Sequence, residues 1–222
     1  MVIYQIDSRK KRNFLSRLSF TTQLIILNVG LFFIFSLLIG LKVISIDFVA
    51  INPANILNGL YLWTFVTSMF MHGGFFHLFV NMLSLYFIGN LIERILGKQR
   101  YLSFYLISGI ISSLAFVLIA YFFGMDLNTY AVGASGALFG LVGVLVLLTP
   151  DLPVYMMFIP IPIKMKYAAP GLLVILWLIS ITADIPIGNV AHFGGLVAGL
   201  VYGFYIRKKF PNKIKLISQR FS

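Results

Sequence analysis

The sequence predicts an all-α integral membrane protein with a six-helix transmembrane bundle, and three observations predict it. Hydrophobic residues make up 60% of the 222 and charged residues only 10%, where a soluble globule carries roughly a quarter charged. Six apolar runs follow one another near 22–44, 76–92, 101–123, 133–149, 167–183 and 190–206, close to the roughly 20 residues that cross a bilayer. The basic residues then segregate. Six crossings put sixteen of the seventeen Lys and Arg on one side and leave Lys42 alone on the other. Lysine and arginine accumulate on the cytoplasmic side, so both termini are expected there.

Taken in order, residues 1–21 form a basic cytoplasmic segment carrying Arg9, Lys10, Lys11, Arg12 and Arg17. The apolar run from Leu24 to Leu41 resembles a signal peptide's core but is longer, and no small-residue cleavage site follows it cleanly. It reads as a retained first span. The connection of about 45–75 carries Pro53, Asn55, Asn58, Tyr61 and Trp63. Too apolar for a solvated loop and too broken for a span, it fits an element half-sunk in the interface. Pro160 and Pro162 interrupt the stretch after span four, so Val154–Lys166 is expected to lie along the membrane surface. The six-span core covers 22–206, and 207–222 is a basic cytoplasmic tail.

Composition also excludes functions. Without cysteine there is no disulfide, thiolate or Cys-ligated metal chemistry. The net charge of +11 sits at the inner ends of spans, where it orients the chain and meets anionic lipid, rather than on one polar face as in a nucleic-acid binder. The spans leave no room for a separate soluble domain, and no cofactor or metal is implied.

Four polar side chains stand out against this background. With the N-terminus inside, spans two, four and six all run from the outer to the inner face. Ser135 opens span four, His77 opens span two with Asn81 one turn below it, and His192 lies in the first turn of span six. All four therefore fall at one depth, near the outer surface. Each has a bland reading: serine back-bonds to helix carbonyls, a terminal histidine is often interfacial, and a lone asparagine joins helices. Polar groups inside a bilayer nevertheless tend to face the protein interior and mark function. Glycines point the same way. Gly195, Gly199 and Gly203 stripe span six at four-residue spacing, and Gly136 and Gly140, with Gly143 beyond, stripe span four. Such stripes let backbones approach closely, and their contact would bring the Ser135 hydroxyl to the His192 ring.

The chemistry expected of that pair is nucleophilic acyl transfer, with His192 as the base that activates Ser135. His77, the Asn81 amide and the Ser135 backbone N–H are candidate donors to the oxyanion, aided by the positive end of the span-four dipole. No carboxylate is placed to complete a triad: Asp47, Asp126 and Asp184 fall in outer loops, and Asp7, Glu93 and Asp151 on the inner side. A Ser–His dyad results, with Phe139 in position to stack on the imidazole.

Gly133-x-Ser135-Gly136, His77-x-x-x-Asn81 and Ala191-His192-x-x-Gly195-x-x-x-Gly199, in that helical arrangement, resemble the rhomboid family of intramembrane serine proteases over roughly Trp63–Gly203. The resemblance implies a six-helix core open to water from the outer face, with Ser135 as nucleophile, His192 as general base, and His77 and Asn81 serving the oxyanion. It implies that 45–75 is the family's membrane-embedded first loop, that Thr182–Asn189 caps the site, and that His72, Glu93 and Gly97 are structural. Two positions depart from the family pattern: Thr64 stands after Trp63 where many members have Arg, and Phe139 where many bacterial members have Tyr. Neither touches the dyad.

The expected function is thus an endopeptidase of transmembrane substrates in a prokaryotic cell membrane, with membrane lipids as surroundings and no nucleic-acid partner. A non-catalytic chaperone or binding protein on the same scaffold is the alternative, and a transporter or channel the third reading. A transport pathway would need polar residues through the whole bilayer, whereas these cluster near one face.

Overall fold

The computed structural model describes residues 18–124, 126–156, 159–183 and 188–220. Most of the basic N-terminal segment, with Asp7, lies outside the described residues, as do Asp184 and the central part of the expected cap. The chain is mostly helical. Its long helices are α1 (Phe20–Gly40), α4 (Phe75–Leu96), α5 (Lys98–Phe123), α6 (Ser135–Leu148), α7 (Met165–Ala183) and α8 (Asn189–Lys209). Two short helices, α2 (Pro53–Leu57) and α3 (Thr64–Thr67), lie in the first connection, and α9 (Pro211–Ser218) ends the fold.

Five of the long helices are long and apolar enough to cross a membrane, and α6, with 14 residues, is shorter. At 1.5 Å per residue α6 is about 21 Å long, against a hydrocarbon core of about 30 Å. The expected run of 133–149 is therefore trimmed at both ends. Its place in the bundle explains how so short a helix is tolerated. Eleven of its residues are buried, with Leu141, Val144 and Leu148 fully so, against α4, α5, α7 and α8. The helices around α6 face outward with Phe33, Ile34, Phe79, Phe87, Ile107, Leu178 and Phe204. Only lipid suits such an exterior as solvent, and helices that satisfy their own backbone suit lipid. The protein is a multi-pass membrane protein.

At the end of the bundle opposite Ser135, Glu93 explains its own burial. Its carboxylate accepts from the Phe20 and Thr21 amides, both at 2.9 Å, and from the Thr21 hydroxyl at 2.8 Å. These are first-turn donors that α1 cannot satisfy internally, and negative charge is favoured there. Gly97, at φ +84, then reverses the chain between α4 and α5 without a linker, a backbone state that disfavours a side chain.

The all-α expectation needs one correction. The stretch expected along the surface, Val154–Lys166, falls mostly in a pair of strands, β1 (Pro153–Met156) antiparallel to β2 (Ile159–Lys164), and its last two residues already belong to α7. Pro160 and Pro162 are two residues apart and so present their missing N–H to one edge, and prolines belong on edge strands. At its base Asp151 binds Lys164 at 3.1 Å and Lys166 at 3.0 Å, which holds its carboxyl below the usual range, first through the Lys166 hydrogen bond.

The first connection is built rather than loose. Phe48, Tyr61 and Trp63 meet in an aromatic triangle, and the Trp63 indole donates to the Phe48 carbonyl at 2.9 Å. Thr64 is fully buried, and its hydroxyl donates to the Tyr61 carbonyl at 2.7 Å. The residue that departs from the family pattern thus makes an internal bond of its own. Ile51 and Ala131 exchange backbone hydrogen bonds at 3.1 and 2.9 Å, tying this connection to the strand of chain that leads into α6.

Candidate active site

Ser135 is the first residue of α6, and its position follows from the turn before it. Gly133 adopts φ +122, which an L side chain rarely does. Its N–H donates to the Ser68 carbonyl at 2.8 Å. A Cβ on Gly133 would lie 2.9 Å from Nε2 of His77 and 3.7 Å from the Ser135 hydroxyl oxygen. The bare Cα is therefore what lets the His77 ring come up beside the serine.

His192 arrives from α8. The glycine stripes of α6 and α8 face each other so closely that a Cβ on Gly195 would fall on the Gly136 carbonyl, and one on Gly199 on the Gly140 carbonyl; a Cβ on Gly143 would lie 2.9 Å from the Gly199 Cα. This contact is backbone on backbone. Across it His192 Nε2 lies 2.8 Å from Ser135 Oγ. The imidazole is buried and stacks on Phe139, with centroids 4.6 Å apart and planes at 23°. Its Nδ1 has no hydrogen-bond partner among the described residues. A neutral ring that accepts from serine at Nε2 carries its proton on Nδ1, so that proton meets no carboxylate among the described residues.

His77 can be read in the same way. The Gly73 N–H donates to its Nδ1 at 3.3 Å, so in the neutral ring the proton sits on Nε2, an atom that lies against Gly133. His77 is thus set as a donor. Asn81 is buried, and its amide nitrogen donates to the His77 carbonyl at 2.8 Å. Among the described residues no hydrogen bond joins Asn81 to Ser135. The first N–H groups of α6 lack partners within the helix by geometry.

One feature escapes sequence reasoning. Ser112 on α5 donates to the Ala191 carbonyl at 2.6 Å, one residue before His192. With Ser108 it presents small side chains to Gly136 and Gly140, so a third helix joins the seam. Serines four apart in the apolar run 101–123 were the available signal. His72, expected from the resemblance to be structural, is buried, and among the described residues neither of its ring nitrogens has a hydrogen-bond partner; its ring lies 5.2 Å from that of His77.

Comparison with known proteins agrees with the motif reading. Residues 60–209, more than half of the chain, match the Rhomboid domain family. RHOMBOID-like protein 5 of Arabidopsis thaliana is 34% identical over 147 residues, covering 65% of this chain and 44% of that protein. RHOMBOID-like protein 1 of the same plant is 35% identical over 161 residues, 70% of this chain and 37% of its own length. Rhomboid protein 1, mitochondrial, of Saccharomyces cerevisiae is 32% identical over 151 residues, 64% and 41%. The matched part spans less than half the length of each of these relatives. On the extent of the domain match and on the identity to proteins of that name, the chain belongs to the rhomboid family.

Proposed function

We propose that the chain is an intramembrane serine endopeptidase that cuts transmembrane segments of other membrane proteins. The observation that carries this reading is the 2.8 Å approach of Ser135 Oγ to His192 Nε2, within the reach a base needs to take the hydroxyl proton. His192 accepts that proton as Ser135 attacks the scissile carbonyl, and returns it to the leaving amine. The negative charge on the tetrahedral intermediate meets His77 Nε2–H, the first amides of α6 and the free N–H of Asn81; losing one such donor typically costs about 2.7–4 kcal/mol. With no carboxylate behind Nδ1 among the described residues, the stacked Phe139 ring is what holds the imidazole in orientation. Gly133, Gly136, Gly195 and Gly199 support the dyad by making the approach possible.

We read α6 as a sixth crossing, shortened because its neighbours wrap it, and from the distribution of Lys and Arg we place both termini in the cytoplasm of a cell membrane. Ser135 then lies below the outer surface. A substrate helix has its carbonyls engaged, so its cut site must unwind first, and segments that unwind readily are the expected substrates.

Purified protein in detergent, mixed with a transmembrane substrate carrying such a segment, tests the reading. Ser135→Ala should abolish cleavage and labelling by a fluorophosphonate. Cleavage that persists in this variant would refute the assignment, and an intact fold that never labels would favour a non-catalytic chaperone. The rate should also fall towards acid, where His192 becomes protonated and no longer accepts.

A further inference from the structure

The end of the bundle opposite Ser135 carries a second candidate site. There α4 stops at Leu96, α5 starts at Lys98, α8 stops at Lys209, and α9 folds back after Pro211. Between them is a cavity of about 60 Å³ with an apolar floor that includes Leu96, Ile206 and Ile214, and with Arg100 and Lys213 in its lining. Phe210 joins floor and rim: the Arg100 guanidinium lies 5.4 Å from its ring centroid and the Lys209 ammonium 5.8 Å. Both contacts are in cation–π range. Among the described residues neither Arg100 nor Lys213 is paired with a carboxylate. Asp151 is taken by Lys164 and Lys166, and Glu93 by the start of α1.

We propose that this groove binds the headgroup phosphate of an anionic phospholipid. Three observations select a lipid. The groove lies where helices that cross the membrane end, which is the depth of headgroups. Its chemistry is divided as a phospholipid is, with cations at the rim for phosphate and aliphatic side chains beneath for the first acyl carbons. And α9 has the make-up of an interfacial helix, with Ile214 buried, Leu216 exposed and Lys213 beside them. The assignment is narrower than a general attraction of basic ends to acidic membranes. It names two cations, Arg100 from α5 and Lys213 from α9, which the fold holds against one cavity.

Native mass spectrometry of the full chain released from detergent, titrated with phosphatidylglycerol, tests it. Arg100→Gln/Lys213→Gln should weaken retention of the first lipid by about thirtyfold, the effect of two juxtamembrane charges. Lys208→Gln/Lys215→Gln removes the same charge from the same end but away from the cavity, and should leave that first lipid in place. Equal loss in both pairs would reduce the site to diffuse charge and overturn the proposal. So would unchanged retention in the first pair, or displacement of phosphatidylglycerol by inorganic phosphate at equal concentration. Thermal unfolding of both variants, expected to match the parent, separates lost binding from lost fold.

Discussion

The two supports of Ser135 are built differently. On one side, α6 and α8 meet backbone to backbone through glycines, and α5 closes the seam with Ser108 and Ser112. On the other, the turn at Gly133 and the ring of His77 are held by loop amides, a two-residue bridge and aromatic contacts. The seam has almost no freedom, because backbone atoms in contact have no rotamers to change. The loop side depends on single hydrogen bonds, which contribute about 0.5–1.5 kcal/mol each. The distance between Ser135 and His192 is thus fixed by the rigid side, whereas the His77 ring sits on the side that can adjust.

The comparison breaks most severely at the seam. In Gly199→Val the new side chain falls on the Gly140 carbonyl, and neither helix can yield without parting Ser135 from His192. Overpacking of a core costs about 1–3 kcal/mol where side chains can adapt, and here they cannot. Thermal unfolding in detergent should show a destabilisation at or above that range, together with loss of cleavage. Gly30→Ala is the control, because nothing lies within 4 Å of the added carbon; it should be close to neutral. Equal effects of the two substitutions would show that the seam is not what holds the site.

A smaller effect is expected at Gly133. Alanine there must bear an unfavourable φ, a strain of order 1–3 kcal/mol, and must also push the His77 ring aside. Gly124→Ala imposes positive φ, at +65, with open space around it. Both should lower stability, but only Gly133→Ala should slow turnover of bound substrate. If kcat falls equally in both, the His77 contact is not part of the chemistry. Smaller again is Phe139→Leu, which keeps most of the volume and removes the stack. The loss of about 0.5–1.5 kcal/mol should appear as up to about a tenfold lower rate with little change in unfolding temperature. An unchanged rate would leave the His192 ring oriented by something else.

The sequence disclosed the seam better than the loop side, for a physical reason. Glycine at four-residue spacing has few other uses in an apolar helix, so Gly136/Gly140 and Gly195/Gly199 could be paired on paper, and with them Ser135 and His192. Helix ends were legible to within four residues, the largest misses being the end of α1 at Gly40, where the chain turns through Lys42 at φ +59, short of the expected 44, and the end of α4 at Leu96, beyond the expected 92. The hairpin at 153–164 was not legible, since prolines two apart signal a break without saying what replaces the helix. Nor was the shortness of α6, because an apolar sequence does not reveal where the surrounding helices end. The Ile51–Ala131 bridge joins residues eighty apart with no charge or motif to mark either, so the loop's hold on the serine turn appears only in three dimensions.

The smallest expected effect concerns the latch beside that bridge. Asp47 Oδ1 accepts from the Tyr130 hydroxyl and the Asn55 amide, both at 2.7 Å, and Oδ2 accepts from the Ser45 hydroxyl at 2.9 Å. These bonds, that of Tyr130 foremost, hold the carboxyl below its ordinary range. A carboxyl with a lowered folded-state pKa adds stability that is present above its unfolded pKa and is lost as the pH falls through the folded one. At neutral pH the latch is therefore closed, and it opens only in acid below the usual carboxylate range. The cluster is exposed, so water competes for every bond, and its contribution should not exceed about 1 kcal/mol. Amide exchange at Ile51 and Ala131, expressed as protection factors, reads it directly. Asp47→Asn should lower protection modestly at pH 7, and acid should lower it in the parent but not in the variant. Protection that falls with acid to the same extent in both would mean that another group loosens the Ile51–Ala131 bridge, and Asp47 would then be a passenger beside it.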